Sequence, residues 1–189
     1  GIPSADLLGK LMPGSGHLVH MPSHTYANVG RYEDAITVNQ KAVVLDAAYF
    51  EQYKRPTFYR NYYAHNIEFC TFGAMMEGRK ALALEYVDKL EQLTPDEAIA
   101  LYPEWMDGSC ALRMHVYVRF GMWNEIVAQP DYAGFRKASR AIRRYARTVA
   151  LANLGRTKEA RRELAQLDSA VSEVPEDWVI AFNPAKTVL

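Results

Sequence analysis

Apolar residues recur three and four positions apart along the chain, and four times such a stretch ends at a glycine and resumes with a small or aliphatic residue five places later. The copies read YANVGRYEDAI around Gly30, GAMMEGRKALAL around Gly78, VYVRFGMWNEIV around Gly121 and VALANLGRTKEA around Gly155. Their fifth places are Ala35, Ala83, Ile126 and Ala160. A left-handed glycine closes one helix and a small side chain lets the next approach it, so each copy predicts a helical hairpin. The units are expected over roughly 17–46, 60–92, 107–129 and 133–172.

Successive glycines are 48, 43 and 34 residues apart, so the first two intervals hold insertions. In the first, AAYFEQYKRPTFYRNYY predicts a helix extension, a turn at Pro56 and the lead into the next helix. In the second, Thr94-Pro95-Asp96-Glu97 has the form of a capping box with proline at the first helical position, predicting a short helix that Pro103 stops. Strand-like alternation is absent from the pattern. The expected fold is all-α, a single domain over 1–189 in which about four hairpins stack as an α-solenoid.

The segment ANVGRYEDAITVNQKAVVLD, with Tyr26, Gly30, Tyr32, Ala35 and Ala42 in pattern, resembles a tetratricopeptide repeat, and ALANLGRTKEARRELAQL around Gly155 is similar. The second unit keeps Pro95 where such repeats usually turn, and the third departs by placing Ile126 at the small-residue position. The resemblance covers about His17 to Ser172 and implies that one stripe of each first helix lines a concave groove. More narrowly, GHLVHMPSHTYANVGRYEDAI followed by YYAHN resembles longer bacterial proteins of this repeat type, which implies that the chain is a C-terminal fragment of a longer protein.

Counted back from the repeat glycines, the histidines fall into register. His17 and His65 lie thirteen places before their glycine, His20 and Glu68 ten before, and His24 and His115 six before. Steps of three and four put these places on one helical stripe, the stripe that the resemblance assigns to the groove. His17, His20, His24, His65, Glu68 and His115 therefore form a candidate site for a divalent transition metal, zinc or iron, with imidazole and carboxylate ligands. Pro22 within HLVHMPSH is expected to kink or restart the helix between the first histidines and His24. Without a metal, the same positions make a polar, hydrogen-bonded groove.

Two functions remain open. As a binding module, the groove would hold a peptide, a protein partner or a small ligand, with Asn28, Tyr62 and Arg119 as rim contacts. As a metal-dependent enzyme of hydrolase or oxygenase type, His20, His24 and His65 would ligate the ion, Glu68 would be ligand or base, and His17 or His115 an outer-shell proton carrier.

Composition narrows the partners. Lys plus Arg number 22 and Asp plus Glu 22, a balance that argues against nucleic-acid binding. The basic run Arg136, Lys137, Arg140, Arg143, Arg144, Arg147 falls off the groove positions and reads as a solvated face or one paired with acids such as Glu163 and Asp168. Cys70 and Cys110 are too few for a disulfide framework and read as small apolar residues. The aromatic peak Tyr49, Phe50, Tyr53, Phe58, Tyr59, Tyr62 and Tyr63 reads as packing under an inserted loop. No stretch approaches the roughly 18 apolar residues of a membrane span, and the expected location is cytoplasmic. Neither end looks like a polar cap, so end-to-end homodimerisation is also expected. PGSGH near Gly14 lacks the ending of a phosphate loop, and Ser15, Ser23 and Ser109 lack the surroundings of a serine nucleophile.

Overall fold

A computed structural model describes residues 1–53 and 58–189, so the turn expected at Pro56 lies outside the described residues. Among the described residues the fold is all-α but for one minute hairpin, and the chain divides into two compact units, Gly1–Leu93 and Thr94–Leu189. In the first unit the helices are α1 (Ile2–Leu11), α2 (Gly16–His20), α3 (Pro22–Asn28), α4 (Tyr32–Tyr53), α5 (Tyr59–Met76) and α6 (Lys80–Leu93). The second holds α7 (Asp96–Ile99), α8 (Pro103–Met106), a 3-10 turn at Ser109–Ala111, α9 (Leu112–Arg119), α10 (Trp123–Ala128), α11 (Lys137–Asn153) and α12 (Thr157–Ser172). It ends in β1 (Val179–Ile180), β2 (Asn183–Pro184) and α13 (Ala185–Val188).

The four repeat glycines carry the turns. Gly30, Gly78, Gly121 and Gly155 have φ of 77, 71, 65 and 72°. At each, the residue after the glycine donates its amide five positions back, to the carbonyls of Tyr26, Ala74, Tyr117 and Leu151 at 2.8–2.9 Å, and the glycine itself donates three positions back. That paired bonding satisfies carbonyls the helix end leaves unmatched and reverses the chain. The four fifth-place residues, Ala35, Ala83, Ile126 and Ala160, are all buried. In the first unit α3 packs on α4, α4 on α5 and α5 on α6; in the second α9 packs on α10, α10 on α11 and α11 on α12.

Local chemistry explains three departures from expectation. The segment after Thr94 starts its helix at Asp96, with Pro95 as N-cap and no side-chain capping bond. That helix ends at Ile99, and Pro103 opens α8, where a missing amide hydrogen costs nothing. The third departure is the hairpin pairing Val179 with Pro184 and Ile180 with Asn183, too short to show alternation. Its turn residues Ala181 and Phe182 both take positive φ, 47 and 69°, without the glycine or asparagine that usually marks such a turn. Cys70 and Cys110 are buried and unpaired by disulfide, as expected of small apolar residues. Among the described residues, no helix is long and apolar enough to cross a membrane.

Candidate metal centre

The buried stripe of α4 reads Ala35, Ile36, Asn39, Ala42, Val43, Asp46, helical spacing throughout, and two of the six are polar. Those two anchor the histidine-bearing segment. Asp46 accepts hydrogen bonds from the Tyr59 hydroxyl at 2.8 Å and the Asn66 amide at 2.7 Å, while the start of α2 presses on it. A Cβ on Gly16 would lie 2.0 Å from Asp46 Oδ1, so this approach requires glycine. Burial raises the carboxyl pKa of Asp46 and the two hydrogen bonds oppose the rise.

Asn39 sets the tautomer of His20. Its Nδ2 donates to the Ala35 carbonyl at 2.7 Å, which turns Oδ1 towards His20 Nδ1 at 2.6 Å. An amide oxygen only accepts, so Nδ1 carries the proton and Nε2 presents its lone pair. Ser23 Oγ lies 3.3 Å from the same Nδ1. Pro22 interrupts the hydrogen-bond ladder between α2 and α3, yet Met21 keeps helical angles of φ −50° and ψ −35°. The interruption is therefore slight enough that His20 Nε2 and His24 Nε2 meet at 3.0 Å.

His65 comes from α5, with ring centroids 4.7 Å from His20 and 5.6 Å from His24. One ring nitrogen from each of His20, His24 and His65 lies within 4.8 Å of the others, so a single point sits within about 3 Å of all three. Phe69, one turn beyond His65, meets all three imidazoles edge-on at 4.6–4.9 Å. Burial and the neighbouring histidines push His20 down to about 3 and lower His24 as well. At neutral pH both are neutral imidazoles, the form that ligates metal.

The remaining expected residues are placed differently. His17 stacks on His20, centroids 5.7 Å apart, and stands outside the converging group. Glu68 also stands outside it, its Oε2 being 3.8 Å from His65 Nδ1. His115 belongs to the second unit and is exposed, as is Arg119. Asn28 is exposed on α3, and Tyr62 lies partly exposed against His17, centroids 4.7 Å apart. Asn39, Asp46 and Phe69 escaped the sequence reading, although polar residues on the apolar stripe of α4 are a usable signal for the first two.

The basic run of α11 is mostly paired. Arg144 and Arg147 both bond Glu163 at 2.7 and 2.9 Å, and Arg143 donates to the Gln129 carbonyl. Arg136 is buried against Asp107. The aromatic segment packs ring on ring, with Tyr49 against Tyr53 and Tyr59 at 4.5 and 4.7 Å. No family model matches the chain, and neither does any curated protein or solved structure.

Proposed function

We propose that the protein is a tetratricopeptide-like array of helical hairpins that binds one divalent transition metal through His20, His24 and His65 and uses it to hold a ligand in its groove. The observation that carries this reading is the convergence of three imidazole ring nitrogens within 4.8 Å. Two imidazoles on a tetrahedral zinc stand about 3.3 Å apart, close to the 3.0 Å between His20 and His24 Nε2, so little movement is needed. The surroundings resemble those of a metal site: Asn39 holds Nδ1 of His20, and Glu68 Oε2 stands 3.8 Å from Nδ1 of His65. Three protein ligands leave the fourth corner of the shell to a non-protein ligand, the arrangement that metal-dependent hydrolases and oxygenases also use. The four matching glycine turns and the helix-on-next-helix packing support the repeat reading.

A metal-free groove is the second reading, favoured by the 3.0 Å contact itself, because His24 Nε2–H donating to His20 Nε2 makes an ordinary hydrogen bond. The two readings diverge under metal analysis. Protein purified without added metal or affinity tag should carry zinc or iron near one equivalent per chain, and chelator should lower its melting temperature. Metal-free protein whose melting is indifferent to zinc would leave the hydrogen-bonded groove.

A further inference from the structure

Resting on the metal reading above, we infer that the ligand in the fourth position is a carboxylate-type oxyanion and that His17 selects it by a hydrogen bond from Nδ1. His17 Nδ1 is shielded from solvent and has no hydrogen-bond partner among the described residues. A buried polar nitrogen without a partner costs more than it returns unless something absent from the protein itself completes it. The position of His17 points to what that is. Its ring stacks on His20, and its charge would act on His20 and His24, yet its nitrogens lie beyond the group that converges on the metal point. It stands one shell out, where it meets a molecule bound to the metal and not the metal.

Charge selects an anion. A divalent ion among three imidazole ligands keeps its positive charge, and neither carboxylate near the histidines, Asp46 acting on His17 or Glu68 beside His65, belongs to the group that converges on the metal point. Asp46 is held by Tyr59 and Asn66, and Glu68 faces His65 Nδ1. Phe69 walls the triad and Tyr62 packs on His17, so the histidines meet aromatic rings on that side. An anion with one oxygen on the metal and an oxygen accepting from His17 Nδ1–H neutralises the ion and satisfies the orphaned nitrogen together. Water would fill the corner but leave the charge uncompensated.

The test uses the full chain loaded with cobalt(II), whose visible spectrum reports the ligand shell. Acetate and thiocyanate are titrated in turn, since thiocyanate ligates through nitrogen and offers no oxygen to His17. In H17F, cobalt affinity should stay within about threefold of wild type and thiocyanate affinity should hold, while acetate affinity falls about tenfold. H17N, which keeps a donor, should recover part of the acetate affinity and guards against a folding defect in H17F. Unchanged acetate binding in H17F, or an equal loss for both anions, would overturn the assignment. A cobalt loss as large as that of H24A would make His17 a ligand and overturn it too. Failure of the wild type to take up cobalt would instead remove the metal reading on which it rests.

Discussion

Each unit buries a cluster of polar side chains, and the two differ in whether the protein completes its own hydrogen bonding. Asp107 of the second unit is fully buried and accepts from Arg136 Nε at 3.0 Å, from the Ala138 and Ser139 amides at 2.8 and 3.2 Å, and from the Ser139 hydroxyl. It thereby caps the first turn of α11 from outside the helix while neutralising Arg136, whose guanidinium also lies on the Tyr132 ring. Nothing is left over for a ligand. In the first unit ring nitrogens of His20, His24 and His65 converge, with one hydrogen bond between His20 and His24 at 3.0 Å, and His17 Nδ1 lacks a partner among the described residues. A closed network stabilises a fold, whereas an unpartnered buried nitrogen is a group that a ligand would complete.

Breaking the closed network should give the largest effect. D107A removes the Nε partner of Arg136, leaving Asp96 and Ser139 to hold the guanidinium, and strands two helix amides; it should cost about 2–4 kcal/mol of stability. Trp105, Trp123 and Trp178 all lie in the second unit, so tryptophan fluorescence in a denaturant titration reports the loss there directly.

Acid should strike the first unit. His20 has an ordinary pKa of 6.5 when unfolded and about 3 when folded, so the unfolded chain takes up a proton that the native state refuses. The contribution is complete above about pH 6.5 and falls towards pH 3, by up to about 1.4 kcal/mol per pH unit for this residue alone. His24 and His17, also lowered by burial, act in the same sense. Asp46, raised by burial, acts oppositely, its contribution being present at low pH and lost as pH rises. Urea midpoints at pH 7 and 4.5 should show this slope in wild type and a shallower one in H20Q; equal slopes would refute the assignment to His20.

Removing Asn39 probes the site without touching a ligand. N39A frees the His20 tautomer and should weaken zinc binding by about 10–100-fold, while N39D, which still accepts from Nδ1, should hold affinity near wild type. Calorimetric titration with zinc separates these outcomes. Smallest of all, S139A removes one of several donors to Asp107 and should cost about 1 kcal/mol, with zinc binding unchanged. A change in zinc affinity there would erase the distinction between the two clusters.

Much of the hairpin architecture was legible because a glycine that must take positive φ leaves a mark no other residue leaves as reliably. Gly30, Gly78, Gly121 and Gly155 located the turns into α4, α6, α10 and α12, but not the α10–α11 connection. The histidine register was legible for the same reason, being counted from those turns. What the register could not convey is reach. Glu68 shares a register place with His20 but meets His65 along its own helix, and His115 shares one with His24 but sits exposed in the other unit. Asn39 and Asp46 were hidden because their roles depend on which helix covers them. The Ala181–Phe182 turn was hidden because its conformation is imposed by the pairing of Val179 and Ile180 with Asn183 and Pro184, against the preference of both residues.

The central claim is tested most directly by zinc K-edge X-ray absorption on the full chain loaded with one equivalent of zinc. Three imidazole nitrogens from His20, His24 and His65 and one lighter-atom ligand at about 2.0–2.1 Å are predicted, falling to two imidazoles in H24A. A shell of oxygens alone, or one that H24A leaves unaltered, would contradict the claim.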